Sequence, residues 1–315
     1  MREVSDSFVE LIDSSSSITV LSHINPDADA IGSSLALYTW LRDRGHRVEI
    51  ANISTDIPRY LKFLPNYKKI KNKIDYTDSL IISCDCGSID RLGFEVDDRE
   101  IINIDHHETN TSFGRLNIVT TTAVSTTEVL FNLLHPLGGV TSDISTALYT
   151  GLISDSRNFT TSNMPTDIFL LANTLVELGA DPVSISNQMI NSRSLASIRV
   201  LSLALSSLEL SSNGKLAIMT IDREDLEKSG AIYSDLDGVV DYAKSLHTVK
   251  IGFLLIERED NIKVSIRSKN IDISSLASHF GGGGHRYAGG FSMKGISVVE
   301  SKELIIDEIN SKGLL

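Results

Sequence analysis

Two short runs constrain this chain more than anything else in it. Ser79 to Asp85 and Glu100 to Asp105 are mostly Ile and Leu, and each ends on an aspartate. A strand that is apolar at consecutive positions must be covered on both faces. Ser17 to Ser22 reads the same way, and Arg47 to Ile53 reads as a further strand. A helix lies between these two, from about Asp29 to Arg44, with Ile31, Leu35, Leu37, Trp40 and Leu41 apolar and Gly45 as its stop. Helical patterns resume at Ser125 to Leu134, Ser142 to Ile153 and Pro165 to Leu178, with Pro165 in the first turn and Gly179 past the end. Fully apolar strands alternating with helices predict an α/β domain built on a parallel sheet.

Ser192 to Leu210 reads as one long helix carrying Ile198, Leu201, Leu205 and Leu208 on a stripe, and Ser211-Ser212-Asn213-Gly214 then breaks the chain. The expected organisation is an N-terminal domain over residues 1–190, a helical linker over 191–213 and a smaller α/β domain over 214–315. The last part reads as a strand (Lys215 to Ile221), a helix (Asp235 to Ser245) and a strand pair (Val249 to Glu257, Ile262 to Arg267). A helix (Ser274 to Phe280), a glycine-rich loop (Gly281 to Gly284), a strand near Gly290 to Met293 and a final helix (Val298 to Asn310) follow.

The formal net charge of −12 argues against a broad grip on long nucleic acid, which needs a basic surface. It leaves room for a small anionic substrate, because carboxylates gathered round a metal are offset once it binds. No apolar run reaches the roughly 20 residues of a membrane span. Met1 to Asp13 carries Asp6, Glu10 and Asp13 and lacks a basic-then-apolar leader pattern. The expectation is a soluble, cytoplasmic protein without a membrane partner. Cys84 and Cys86 are too close to pair comfortably and make only half of a structural zinc site. They read as small core residues, on one face of a strand with Asp85 on the other.

The positions of the acidic and histidine residues matter more than their number. His23, Asp27 and Asp29 follow the first strand; Asp85 ends a later one; Asp105, His106 and His107 end another; Asp155 follows the helix that runs to Ile153. In an open parallel sheet the C-terminal strand ends share one edge, where ligands bind. Five aspartates with up to three histidines suit hard-to-borderline divalent ions, and are more than one ion needs. Two cations sharing a carboxylate would generate hydroxide from a water near neutral pH and neutralise phosphoryl oxygens. Asp85, among small residues, is the candidate bridge. Each position alone has a bland alternative: an aspartate at a strand end is commonly a cap or turn residue, and Asp29 could cap its helix. His46, His135 and His247 read as structural.

The stretches His23 to Ser33, Asp85-Cys86-Gly87, Asp105-His106-His107 and Gly151 to Ser156 resemble, in order, the four signature motifs of the DHH phosphoesterase family. Gly281 to Gly290 resembles the Gly-Gly-Gly-His loop of the DHH-associated domain, so the resemblance spans nearly the whole chain. It implies that His23, Asp27 and Asp85 hold one Mn²⁺, and that Asp29, Asp85, His106 and Asp155 hold the other. His107 would then face the phosphate, and Asp105 would orient the histidine pair.

For the C-terminal part, glycines permit close approach and an anion-binding nest at Gly282, Gly283 and Gly284. His285, Arg286, Arg267 and Lys269 add positive charge nearby in sequence. Arg286 and Lys269 could equally be surface residues, and Tyr287 could stack on a base or serve the core. The resemblance favours Arg267 and His285 as substrate contacts. A chain with only these two domains is similar to the nanoRNase/pAp-phosphatase branch, whose members degrade very short RNA or pApA and dephosphorylate 3′-phosphoadenosine 5′-phosphate. That branch often forms dimers, which makes a homodimer the expectation. The alternatives are a RecJ-like single-strand exonuclease, a cyclic-dinucleotide phosphodiesterase, an enzyme for a non-nucleotide phosphate, or a nucleotide-binding regulatory protein without catalysis.

Overall fold

The apolar runs form the strands of a six-stranded sheet. They are β1 (Ile18–Ser22), β2 (Val48–Ala51), β3 (Ile70–Lys71), β4 (Leu80–Cys84), β5 (Ile101–Asp105) and β6 (Leu116–Val119). Every neighbouring pair is parallel, in the order β3-β2-β1-β4-β5-β6. β1, β4 and β5 are buried at every residue. The helices of this unit are α1 (Arg2–Ser14), α2 (Ala28–Asp43), α3 (Thr126–Leu134), α4 (Ser142–Asp155), α5 (Ile168–Glu177) and α6 (Pro182–Ile190). The computed structural model describes residues 2–96, 98–161, 164–190 and 193–315.

α2 is buried continuously from Ala28 to Leu41, which explains why it lacks a polar face. It can lie so deep because α4 approaches it backbone to backbone. A Cβ on Gly32 would stand 2.6 Å from the Ala147 carbonyl oxygen, and one on Gly151 would stand 2.7 Å from Asp29 Oδ1. The two glycines therefore let α2 and α4 bring Asp29 and the end of α4 together. Pro165 is not in the first turn of α5. The helix starts at Ile168, whose N–H bonds back to the Pro165 carbonyl at 3.3 Å, so the proline belongs to the turn leading in.

The chain divides into two compact units, residues 1–192 and 193–315. The second contains α7 (Leu195–Ser206), β7 (Glu209–Ser211), β8 (Leu216–Ile221), α8 (Arg223–Ser229), α9 (Val239–Ser245), β9 (Ile251–Glu257), β10 (Asn261–Ser268), α10 (Ser274–His279), β11 (Gly283–His285), β12 (Ala288–Lys294) and α11 (Val298–Ser311). Its sheet runs β11-β12-β10-β9-β8-β7, parallel only between β8 and β9. The period of two in β8 serves both faces: Leu216 and Ile218 join one core, Ala217 and Met219 the other.

Three readings change here. The start of the supposed linker, residues 191 and 192, lies outside the described residues. The helix that follows is Leu195–Ser206 and does not run to Leu210. Its Val200 and Ala204 are buried in the core that holds Ala217, Met219 and Val240, so it packs as part of the second unit. The helix expected over Asp235 to Ser245 is broken, because Gly238 takes φ +73° and α9 starts only at Val239. The glycine-rich segment is not an open loop. Gly283–His285 is an edge strand that pairs with Ala288–Gly290 in a tight hairpin. A Cβ on Gly282 would run into the Gly290 carbonyl oxygen, and one on Gly284 into that of Ala288, so these glycines serve strand approach first. No single helix among the described residues is long and apolar enough to cross a membrane.

Candidate metal centre

The strand order reverses direction between β1 and β4, which is where open parallel sheets bind ligands, beyond the C-terminal strand ends. His23 directly follows β1, Asp85 directly follows β4, and Asp105 closes β5, the next strand over. β4 ends at Cys84, so Asp85 does not alternate with the cysteines as a strand residue. It sits in the left-handed region at φ 58°, which aspartate tolerates better than most residues. Both cysteines are buried; burial pushes their thiols up, that of Cys86 to about 12, so they are inert core groups.

Asp27, not Asp29, caps α2: its Oδ1 accepts the N–H groups of Asp29 and Ala30, each at 3.0 Å. Asp29 is wholly buried in the first turn, and its carboxylate reaches α3 instead. Oδ2 accepts the Thr126 N–H at 2.6 Å and Oδ1 the Thr127 N–H at 3.0 Å. The imidazoles are aimed by backbone carbonyls. His23 Nδ1 lies 2.9 Å from the Ile24 carbonyl oxygen and His106 Nδ1 3.2 Å from that of Ala123. With Nδ1 as the donor, both rings turn Nε2 toward the carboxylates.

Those Nε2 atoms meet opposite oxygens of Asp85. His23 Nε2 is 3.5 Å from Oδ2, and His106 Nε2 is 3.7 Å from Oδ1. His106 Nε2 is also 3.3 Å from Asp155 Oδ2 and 4.0 Å from Asp29 Oδ2. Donor atoms of His23, Asp27 and Asp85 all lie within 4.8 Å of one another, and so do those of Asp29, His106 and Asp155. Asp85, Asp105 and His107 form a further group, but there His107 Nδ1 is held by Asp105 Oδ1 at 2.7 Å. Asp105 Oδ2 in turn accepts from Asn110 Nδ2 at 2.5 Å.

Crowding shows in the proton affinities. Burial, then the charges of Asp85 and Asp155, raise Asp29 far above the usual carboxylate range. Burial, with Asp27 and Asp85, pushes Asp155 up to about 6 against the pull of His106. Burial opposes ionisation of Asp85 too, but its hydrogen bond with His23 and the charges of the three histidines hold it well below normal. Burial disfavours the charged form of His106, yet Asp155, Asp85 and Asp29 raise it well above an ordinary imidazole. His23 and His107 are raised by their carboxylate partners against the same opposition. A buried cluster so rich in carboxylate, with aimed ring nitrogens and no thiolate among the donors, fits divalent cations of the hard-to-borderline kind.

In the second unit, Arg267 is half-buried; its Nη1 donates to the Ile266 carbonyl and its Nε lies 3.9 Å from Asp241 Oδ2. Arg286 is exposed, 3.4 Å from Asp272 Oδ2, and His285 is exposed at the hairpin. Lys269 donates to the carbonyls of Leu246 and His247 and is structural.

Asn110, Ala123, Thr126 and Thr127 also support the site, and no motif in the sequence marks them for it. The Ser125-x-x-Glu128 pattern signals a helix start, and Ser125 Oγ does accept the Glu128 N–H while Glu128 Oε2 accepts that of Val124. Nothing in that pattern says which distant carboxylate takes the remaining N–H groups.

Residues 17–152 match the model of the DHH family, N-terminal domain, and residues 213–312 match the DHHA1 domain. The chain belongs to the DHH family and is a phosphoesterase. Among its relatives is the bifunctional oligoribonuclease and PAP phosphatase NrnA of Thermus thermophilus, 28% identical over 94% of this chain and 90% of that one. The Bacillus subtilis protein of the same name is 27% identical over 86% and 87%. The crystal structure of an exopolyphosphatase-related protein from Bacteroides fragilis superimposes with a TM-score of 0.87 at 26% identity, covering 98% of this chain and 97% of the other.

Proposed function

We propose that the protein hydrolyses short oligoribonucleotides, pApA and 3′-phosphoadenosine 5′-phosphate with two divalent cations, Mn²⁺ being the expected pair. The observation that carries this reading is the position of Asp85, one oxygen toward His23 and the other toward His106. His23, Asp27 and Asp85 would hold one ion, and Asp29, Asp85, His106 and Asp155 the other. When bound, the cations supply positive charge against the phosphoryl oxygens and lower the pKa of water. The names and coverage of the NrnA relatives support the substrate class.

The chain's own groups do the rest. His107, fixed through Nδ1 by Asp105 and raised in proton affinity, can donate from Nε2 to a phosphoryl oxygen or the leaving alkoxide. Asp105, braced by Asn110, sets the ring's orientation. In the second unit we assign substrate contact to Arg267, Gly282, Gly283, Gly284, His285 and Arg286, with Arg267 as the phosphate ligand. The net charge of −12 accords with short substrates, which need few phosphate contacts.

The test is hydrolysis by metal-stripped protein resupplied with Mn²⁺, on 3′-phosphoadenosine 5′-phosphate, pApA, a five-nucleotide RNA, long single-stranded DNA, a cyclic dinucleotide and pyrophosphate. Preference for the first three is expected. Preference for long DNA would move the protein to an exonuclease role, and no turnover of any would remove the nucleotide reading. Arg267→Ala should raise KM on the preferred substrate while leaving metal binding intact; an unchanged KM would remove Arg267 from the site.

A further inference from the structure

The ligand set proposed above does not explain what holds its carboxylates in register. A helix starts with N–H groups that have no partner inside it. In α3, Ser125 Oγ takes the N–H of Glu128 at 3.2 Å. The N–H groups of Thr126 and Thr127 go to Asp29, which lies on α2, almost 100 positions earlier in the chain. Thr126 makes a second contact of a different kind: its hydroxyl donates to Asp85 Oδ1 at 2.8 Å. That is the same oxygen that faces His106 at 3.7 Å. Thr126 is fully buried, so water does not substitute for either bond. One residue thus ties together Asp29, proposed to hold one cation, and Asp85, proposed to hold both.

We propose that Thr126 is a positioning residue for the metal pair. Its N–H orients Asp29, its hydroxyl selects the rotamer of Asp85, and the spacing of the two donor sets follows from these two bonds. At Asp85, just past the end of β4, the backbone N–H still bonds to the Ile104 carbonyl oxygen at 3.0 Å, so what the Thr126 hydroxyl fixes is the carboxylate and not the main chain. The inference rests on the proposed ligand assignment and extends it to a residue that touches neither metal nor substrate.

Thr126→Val keeps the side chain's shape and the backbone N–H and removes only the hydroxyl; Thr126→Ser restores it. The measurement is Mn²⁺ binding to the metal-stripped full chain by titration calorimetry, with the spin coupling of the bound Mn²⁺ pair read by electron paramagnetic resonance. In Thr126→Val the affinity should fall by about 10- to 100-fold, the usual effect of losing a group that orients a ligand, and the coupling should change. Thr126→Ser should bind and couple like the parent. Parental affinity and coupling in Thr126→Val overturn the inference and leave the ligand assignment standing. Equal impairment of the valine and serine variants also overturns it, since packing would then be the cause. A parent protein that binds no Mn²⁺ overturns both readings. Should Thr126→Val fail to fold, Thr126→Ala replaces it in the comparison with serine.

Discussion

Replacing Gly151 with alanine sets two effects of opposite sign against each other. In an isolated helix the change would stabilise by about 1 kcal/mol, because glycine is the poorer helix former. In α4 the new Cβ would lie 2.5 Å from Thr127 Cγ2, 2.7 Å from Asp29 Oδ1 and 3.0 Å from Asp29 Cα. Carbon atoms rest at about 3.5–4.0 Å, so α2 and α3 must withdraw by roughly 1 Å. Overpacking of this kind costs about 1–3 kcal/mol, which outweighs or cancels the helix gain and leaves a net loss of roughly 0–2 kcal/mol. For a unit of this size that is a fall in Tm of up to about 8 °C. The site should suffer more than the fold, because metal–ligand distances tolerate only about 0.2 Å. Melting curves and Mn²⁺ titration of Gly151→Ala should therefore show a small loss of stability with at least about a tenfold loss of affinity. A higher Tm with unchanged affinity would refute the close approach of α2 and α4 as the element that places Asp29.

His107→Ala should retain both cations, because Nδ1 is committed to Asp105, and should lower kcat by about 10²- to 10⁴-fold; loss of a cation would make His107 a ligand instead. The pH dependence of the metal-free protein has a definite sign. Asp29 and Asp155, raised in the fold, hold extra protons there, so stability falls as pH climbs from about 4 through their folded values, about 6 for Asp155. His23, His106 and His107 contribute stability that is full below the unfolded value of 6.5 and is lost as pH rises through their raised values. Asp85 and Asp105, held low, lose their contribution only below about pH 4. Between about pH 5 and 8 the metal-free Tm should fall, and Mn²⁺ should raise it more at the upper end, where protons compete less. A metal-free Tm that rises over this range would contradict the crowded-carboxylate picture.

The N-terminal sheet was legible because β1, β4 and β5 are mostly apolar and each runs into an Asp or His, which marks both the strand and its functional end. The two-residue β3 and the half-buried β6 carry no such pattern. α1 carries a signal of its own, since Phe8 and Ile12 form its buried face at helical spacing. The donor residues could be picked out one by one, but their grouping into two sets came only with the family resemblance, since Asp29 follows the same strand as His23 and Asp27. The supports could not. Thr126 acts partly through its backbone N–H, which no residue type advertises, and Asn110 acts on Asp105 from a loop. The glycine segment misled because close strand pairing and an open loop ask for the same residue.

The central claim is that Asp85 joins two cation sites whose loading the chemistry requires. Equilibrium binding of Mn²⁺ to metal-stripped parent and Asp85→Ala proteins, with pApA turnover measured on the same samples, tests it most directly. The parent should bind two Mn²⁺ per chain and turn over; Asp85→Ala should lose tight binding and turnover together. An Asp85→Ala protein that still holds two ions tightly and hydrolyses pApA at the parental rate would contradict it.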